Sequence, residues 1–324
     1  MYMPETLLKI NGLKKSFTLP GGMFAKKRSL KAVHDVSFGI EQGTTYSLVG
    51  ESGCGKSTTG RLISRLLTPS HGEIWIDGEE ISQKKESQLK LVRKKVQMIF
   101  QDPYASLNPR MKVREIIAEP LVIHTKLSKA ERNHLVSEML EVVGLTEHHA
   151  DRYAHEFSGG QRQRIGIARA LIMKPKLIIA DEPVSALDVS IQSQILNLLK
   201  DLQTEFNLTY LFISHDLSVV EHISDNIGVM YLGTIVESGP KDVIFSNPQH
   251  PYTKALLSSV PVPDPRLRRE RIVLQGDLPS PVNPPSGCRF HTRCPACMDI
   301  CRTVEPEVKK GLADDHFVAC HLVD

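Results

Sequence analysis

The sequence has little that would tie it to a bilayer, a secretory route or a nucleic acid. No run approaches the roughly 18 apolar residues that a spanning helix needs, so the chain is expected not to cross a membrane. Its start, MYMPETLLKI, lacks a charged region followed by an apolar stretch, which argues against a secretory signal. A formal charge of +3, from 40 basic and 37 acidic residues, gives no electrostatic reason to propose a nucleic-acid partner. Cysteine is scarce where a fold would need stapling. Cys54 stands alone ahead of the tail, and the other five crowd into residues 288–320. A reducing compartment fits this usage best. With 41% hydrophobic and 24% charged residues, the chain has the composition of a globular protein, long enough for one large domain and an appendage.

The most informative early segment is TTYSLVGESGCGKSTTGRLISRLL. Thr45–Val49 reads as a strand and Arg61–Leu67 has helical apolar spacing; between them lies a match to G-x-x-x-x-G-K-[ST], Gly50 to Ser57. Gly50, Gly53 and Gly55 let the backbone fold so that successive N–H groups face phosphate oxygens. The following helix N-terminus also favours anions. Lys56 is placed for the β- and γ-phosphates and Ser57 for Mg²⁺, with Ser52, Cys54 and Thr58 completing the expected nucleotide-binding set.

Downstream, LIIA at 177–180 is a short apolar run between turn signals, the pattern of a central parallel strand. Asp181 at its C-terminal end is positioned for Mg²⁺, and Glu182 for orienting and deprotonating a water. Leu211–Ile213 repeats the design, with His215 just beyond it as a candidate γ-phosphate sensor. Ser158-Gly159-Gly160-Gln161 opens a helix carrying Ile165, Ala168, Leu171 and Ile172 at helical spacing. That bare N-terminus is a second anion site. One phosphate loop does not need two such sites, but a head-to-tail dimer does, each chain's Ser158 helix closing on its partner's nucleotide.

The motifs GESGCGKST, FSGGQRQR, LIIADEP, SALD and SHD occur in the order and spacing of ATP-binding-cassette (ABC) transporter ATPases, which the chain resembles over roughly residues 7–240. The resemblance implies an α/β fold: a RecA-like P-loop NTPase core, an antiparallel β-subdomain and a helical signature subdomain at about 102–170. By the same resemblance Gln101, in IFQDP, touches Mg²⁺ and relays nucleotide state toward the membrane subunits. Ser185 to Asp188 lies between protomers, and Phe17 stacks on adenine. The stretches GLKKSFTL, KAVHDVSFGI and GEIWIDGEEI suit the β-subdomain, with Asp77-Gly78 as a hairpin turn and Trp75 as packing. Pro20 to Lys31 reads as a solvated basic insertion, and Arg266 to Arg271 as a solvated face.

Prolines accumulate from Pro248 to Pro285, as in an extended linker. Cys288, Cys294, Cys297, Cys301 and Cys320 follow, and disulfides, a tetrathiolate Zn²⁺ site or an iron–sulfur cluster are open readings. A metal would tie together a tail of about forty residues that is otherwise expected to lack a core. NPQHPYTKALLSSVP and the cysteine pattern after it resemble the C-terminal extension of ATPases from oligopeptide and dipeptide importers. That resemblance implies a [4Fe–4S] cluster on Cys288, Cys294, Cys301 and Cys320, with Cys297 a departure that leaves Zn²⁺ open. The expected layout is a cassette at 1–245 and an extension at 246–324. The expected function is ATP hydrolysis powering peptide import at the cytoplasmic face of the membrane. Two permease subunits, a second ATPase subunit and, indirectly, an extracytoplasmic peptide-binding protein are the expected partners. A nickel or other small-solute importer is the alternative, and a non-transport ABC ATPase a remote one.

Overall fold

A computed structural model of the protein describes residues 5–19, 28–260 and 271–323. The chain opens with β1 (Thr6–Leu19) and β2 (Arg28–Glu41), followed by β3 (Thr45–Val49) and α1 (Lys56–Ile63). Next come β4 (His71–Ile76), β5 (Glu79–Glu80), α2 (Leu89–Lys95), β6 (Val96–Ile99), α3 (Pro103–Ser106), α4 (Val113–His124), α5 (Lys129–Val142) and α6 (Gly159–Leu171). Strands and helices then alternate: β7 (Leu177–Asp181), α7 (Val189–Phe206), β8 (Thr209–Ser214), α8 (Leu217–Ile223), β9 (Asn226–Tyr231), β10 (Thr234–Pro240) and α9 (Lys241–Ser246). The last elements are α10 (Pro251–Ser258), β11 (Val308–Lys310) and β12 (Phe317–Ala319).

Two sheets organise these elements. A small antiparallel sheet runs β2-β1-β4-β5. Leu8, Ile10 and Leu13 of β1 are buried, whereas Lys9 points to solvent, the alternation of a sheet with one covered face. Asp77 and Gly78 join β4 to β5 with φ of 54° and 74°, the two left-handed residues that a tight type I′ hairpin demands. The large sheet runs β11-β12-β10-β9-β3-β8-β7-β6. Its β9-β3-β8-β7-β6 portion is parallel, and β3, β7 and β8 are buried along their whole length. Parallel strands covered on both faces require such continuous apolar runs. Ile117, Leu140 and Ile165, from α4, α5 and α6, share one apolar core with the β7 residue Ile178 and the β8 residue Phe212. This joins the helical layer to the sheet.

Four expectations are corrected. The helix after the phosphate loop spans Lys56–Ile63, not Arg61–Leu67, because the chain leaves helical geometry at Arg65, whose φ is 55°. Trp75 is not interior packing: it is 36% exposed on the outer face of its sheet, and its Nε1 donates to Glu73 at 3.0 Å. The proline-rich stretch is not all linker, since Pro251 starts α10, whose first turn is capped by His250 Nδ1 accepting from the Tyr252 N–H at 3.0 Å. The tail does not lack a core. Phe290 is 1% exposed and packs on Tyr231 and Tyr252 with ring centroids 5.2 and 5.4 Å apart. β12 also pairs with β10 through Glu237 and Ser238, so the tail extends the central sheet. Of the insertion read at 20–31, residues 20–27 lie outside the described ones and Arg28 already belongs to β2; residues 266–270 of the arginine run also lie outside.

Candidate active site

β3 is flanked by β9 and β8, and β7 lies beyond β8, so the segments following β3, β7 and β8 emerge side by side at the carboxyl edge of the sheet. Ligands of open α/β sheets bind at that edge. After Val49 the chain turns through Gly50, Gly53 and Gly55, all with positive φ. At Gly55 the requirement is twofold: φ is +110°, and a Cβ there would lie 2.4 Å from the Ala32 carbonyl oxygen. Lys56 is buried, and its Nζ donates to the carbonyls of Gly50 at 2.7 Å and Glu51 at 3.0 Å. The loop therefore curls around its own ammonium group.

Ser57, in the first turn of α1, donates its hydroxyl proton to Asp181 Oδ1 at 2.7 Å. Asp181 is 2% exposed; burial pushes its carboxyl above the usual range, and the Ser57 bond opposes that shift. Glu182 follows in a left-handed conformation, φ 48°, which turns it away from the strand direction. Its Oε2 accepts from Gln101 Nε2 at 2.8 Å and lies 3.2 Å from His215 Nδ1. A cleft of about 550 Å³ is bounded by Ser52, Gly53 and Gly55 to Thr58 of the loop, by Gln101, Glu182 and His215, and by apolar Phe17, Leu30, Ala32 and Pro281. Its size suits a nucleotide. It offers N–H groups and an ammonium for phosphates, a carboxylate facing the same space, and an apolar wall for a base.

An ABC transporter family model matches residues 33–185, and a model of the oligopeptide/dipeptide transporter C-terminal region matches 236–301. The oligopeptide transport ATP-binding protein AppF of Bacillus subtilis is 59% identical over 98% of both chains. The dipeptide transport ATP-binding protein DppF of Escherichia coli is 53% identical over 99% of this chain and 96% of its own. The chain belongs to the ABC transporter family. Among solved structures, a dimeric ATP-binding cassette in a post-hydrolysis state with ADP and Pi superposes with a TM-score of 0.65 at 29% identity, covering 72% of this chain and 99% of that one.

As an ABC ATP-binding subunit, the protein is an ATPase, and most residues expected in its site do converge. Gly50 and Cys54 shape the loop without lining the cleft. The Cys54 thiol is 1% exposed and burial raises its pKa, so this residue contributes backbone, not side chain. Asp181 is reached through Ser57. Ser158, Gly159, Gly160, Gln161 and Asp188 do not border the cleft. Ser158 and Asp188 are exposed, and Ser158 N-caps α6 in a reciprocal box with Gln161, at 3.4 and 3.1 Å.

In the tail, Cys288, Cys301 and Cys320 are buried; Cys288 and Cys301 belong to the apolar cluster around Phe290, against which the half-buried Cys294 and Cys297 pack. The Cys288 thiol is pushed up to about 11, chiefly by burial and then by Cys301, Cys320 and Cys294; burial likewise raises Cys294 and Cys320. The thiol chemistry suits a metal, but among the described residues no three His, Cys, Asp or Glu side chains close around a common point tightly enough to hold one. Sequence reasoning missed the part of this ABC subunit's cleft that the tail supplies. Pro281, tied to β2 by the Lys31 N–H donating to its carbonyl at 3.3 Å, lies in a stretch read only as linker. Among the described residues no helix is long and apolar enough to cross a membrane.

Proposed function

We propose that this chain is the ATP-hydrolysing subunit that powers import of di- and oligopeptides. It would work peripherally at the cytoplasmic face of the membrane with two permease subunits, a second ATPase subunit and, indirectly, an extracytoplasmic peptide-binding protein. The observation that carries the peptide reading is similarity over nearly the whole chain to peptide transport ATP-binding proteins, C-terminal region included. The same reading divides the chain into a cassette at 1–245 and an extension at 246–324; two separate family matches, at 33–185 and 236–301, support two functional parts, although the extension shares the sheet.

In this reading the phosphates of ATP lie against the loop N–H groups, and Lys56 exchanges its carbonyl partners for β- and γ-phosphate oxygens. The apolar wall with Phe17 takes the adenine. Ser57, Asp181 and Gln101 would hold Mg²⁺, which when bound neutralises charge on the transferring phosphoryl group. The donor set fits, because Asp181 is a buried carboxylate whose one side-chain partner is the neutral Ser57 hydroxyl. Glu182 takes a proton from the attacking water, whose oxygen bonds to the γ-phosphorus as the bond to the ADP oxygen breaks. His215 and Gln101 fix the Glu182 carboxylate, and His215 contacts the γ-phosphate. Ser158 to Gln161 and Asp188, free of their own cleft, close on the nucleotide of a partner ATPase.

For the tail, the reading is a four-thiolate centre at Cys288, Cys294, Cys301 and Cys320, an iron–sulfur cluster in preference to zinc. Its support is that three of these thiols are buried and the fourth half-buried, close enough together that Cys301 adds to the raised pKa of Cys288, Cys294 and Cys320. They would have to turn toward one another to ligate, and no catalytic step is derived through such a centre. Peptide import is tested by uptake of labelled di- and tetrapeptides in cells depending on this transporter. Wild-type chain should restore uptake and Lys56→Ala should not; restored nickel uptake without peptide uptake would overturn the substrate class.

A further inference from the structure

The C-terminal extension grips the phosphate loop at a single residue, Glu51. Arg293 Nη1 donates to Glu51 Oε2 at 2.8 Å and Nη2 to Oε1 at 3.1 Å, a bidentate fork between residues 242 positions apart. Only 10% of the Arg293 side chain and 28% of that of Glu51 are exposed. From α10, the buried Tyr252 hydroxyl accepts the Glu51 N–H at 2.9 Å. Tyr252 is itself wedged edge-on against Tyr231, 4.7 Å between centroids. The third polar group of Glu51, its carbonyl, accepts from Lys56. Every polar group of this loop residue is therefore committed, two of the three to the extension.

Such a contact differs from an ordinary surface ion pair, because a two-point fork fixes direction as well as distance. Glu51 directly follows Gly50, where the loop leaves β3, and it shares Lys56 with Gly50. Without the Arg293 and Tyr252 contacts, the loop would be free to draw closer around the Lys56 ammonium, which ATP must then pry open. With those contacts the N–H cradle is set before nucleotide arrives, and preorganisation of that kind raises affinity without any contact to the ligand. Neither Arg293 nor Tyr252 borders the cleft.

We propose that Arg293 and Tyr252 are positioning residues for ATP binding, so that the extension sets the affinity of the phosphate loop through Glu51. This rests on the reading that the loop holds ATP. The test measures ATP dissociation constants and steady-state ATPase parameters on the full chain for Tyr252→Phe, Arg293→Gln, Glu51→Gln and the double variant Glu51→Gln/Arg293→Gln. A residue acting on binding alike in ground and transition state moves KM and leaves kcat. Tyr252→Phe and Arg293→Gln should each raise Kd and KM about fivefold or more, within the range of ordinary site-to-site coupling, with kcat changed less than about twofold. The double variant should bind ATP no worse than Arg293→Gln alone, because groups that act through each other are not additive.

Unchanged ATP affinity in Tyr252→Phe and Arg293→Gln, or additive losses in the double variant, would overturn the proposal. Tyr252→Phe removes one oxygen from a buried ring, so it decides the matter if Arg293→Gln fails to fold. Lys56→Ala reports on the underlying reading separately. Wild-type ATP affinity in that variant would remove the loop as the nucleotide site, whereas weak binding there beside normal binding in Tyr252→Phe sinks only the role of the extension.

Discussion

The Glu182 carboxylate and the His215 ring stand 3.2 Å apart, Oε2 to Nδ1, although they leave different strands of the sheet. Gln101 Nε2 holds the same oxygen from another side at 2.8 Å. With one oxygen accepting from Gln101 beside the His215 ring, the other is the oxygen proposed to face the cleft and accept a proton. Glu182→Gln keeps the shape of the side chain and removes its basicity. It should retain ATP affinity, lower kcat by about 10²- to 10⁴-fold, and accumulate an ATP-dependent dimer on size-exclusion chromatography. Hydrolysis at the wild-type rate would place the base elsewhere.

Ser57 and Asp181 make a second, separable prediction. The Asp181 carboxyl is buried with Ser57 as its one side-chain hydrogen-bond partner, an arrangement that favours a cation beside it. Asp181→Asn keeps the contact with Ser57 but removes the charge. Its affinity for ATP without Mg²⁺ should be close to that of the wild type, while the gain on adding Mg²⁺ should shrink at least about tenfold. Titration with ATP in EDTA and again in excess Mg²⁺ reads both quantities. An unchanged Mg²⁺ gain would remove Asp181 from the cation site.

The parts of this site legible in the sequence are those written in contiguous residues. The phosphate loop, the carboxylates at the end of β7 and His215 after β8 each follow an apolar run, so the strand and the strand-end chemistry are read together. The Asp77-Gly78 turn was legible for the same local reason. What the sequence did not reveal depends on distant pairs. Nothing in the neighbourhood of Arg293 points to Glu51, and Pro281 sits among prolines whose spacing signals only an extended chain. The tail looked coreless because Phe290 has few apolar neighbours in sequence; its partners, Tyr231 and Tyr252, belong to β9 and α10. Trp75 failed in the opposite direction, since alternation gives it an outer face that its apolar bulk conceals.

His250 gives stability a defined pH dependence. It is 1% exposed, and burial lowers its pKa from 6.5 to about 3, with Lys254 adding to the shift. Its folded pKa lies below the unfolded one, so the neutral ring stabilises the fold fully above pH 6.5, and that contribution is lost as pH falls toward 3. Thermal melting should therefore show stability declining below pH 6.5, by up to about 1.4 kcal/mol per pH unit from this one group. His250→Asn supplies an oxygen able to accept the Tyr252 N–H and has nothing to titrate. It should flatten the slope between pH 6.5 and 5, and an unaltered slope would assign the acid sensitivity to other groups.

The cysteines supply the last prediction. Free of metal, the Cys288 thiol stays protonated until about pH 11, because burial comes first and three neighbouring cysteines add to it. Its raised folded pKa means that the Cys288 thiol favours the fold below its ordinary pKa of 9.0, and that this contribution is lost as pH rises through about 11. A metal centre would invert that balance by binding thiolates, so its loading should release protons and remove the alkaline loss of stability. Protein purified without oxygen should contain roughly four irons with sulfide and a brown colour bleached by dithionite. Cys301→Ser should lose the iron and Cys297→Ser should keep it. One zinc and no colour would make the tail a zinc clip and leave the ATPase site untouched. Neither metal, with the tail thiols alkylating only after unfolding, would reduce the cysteines to packing around Phe290.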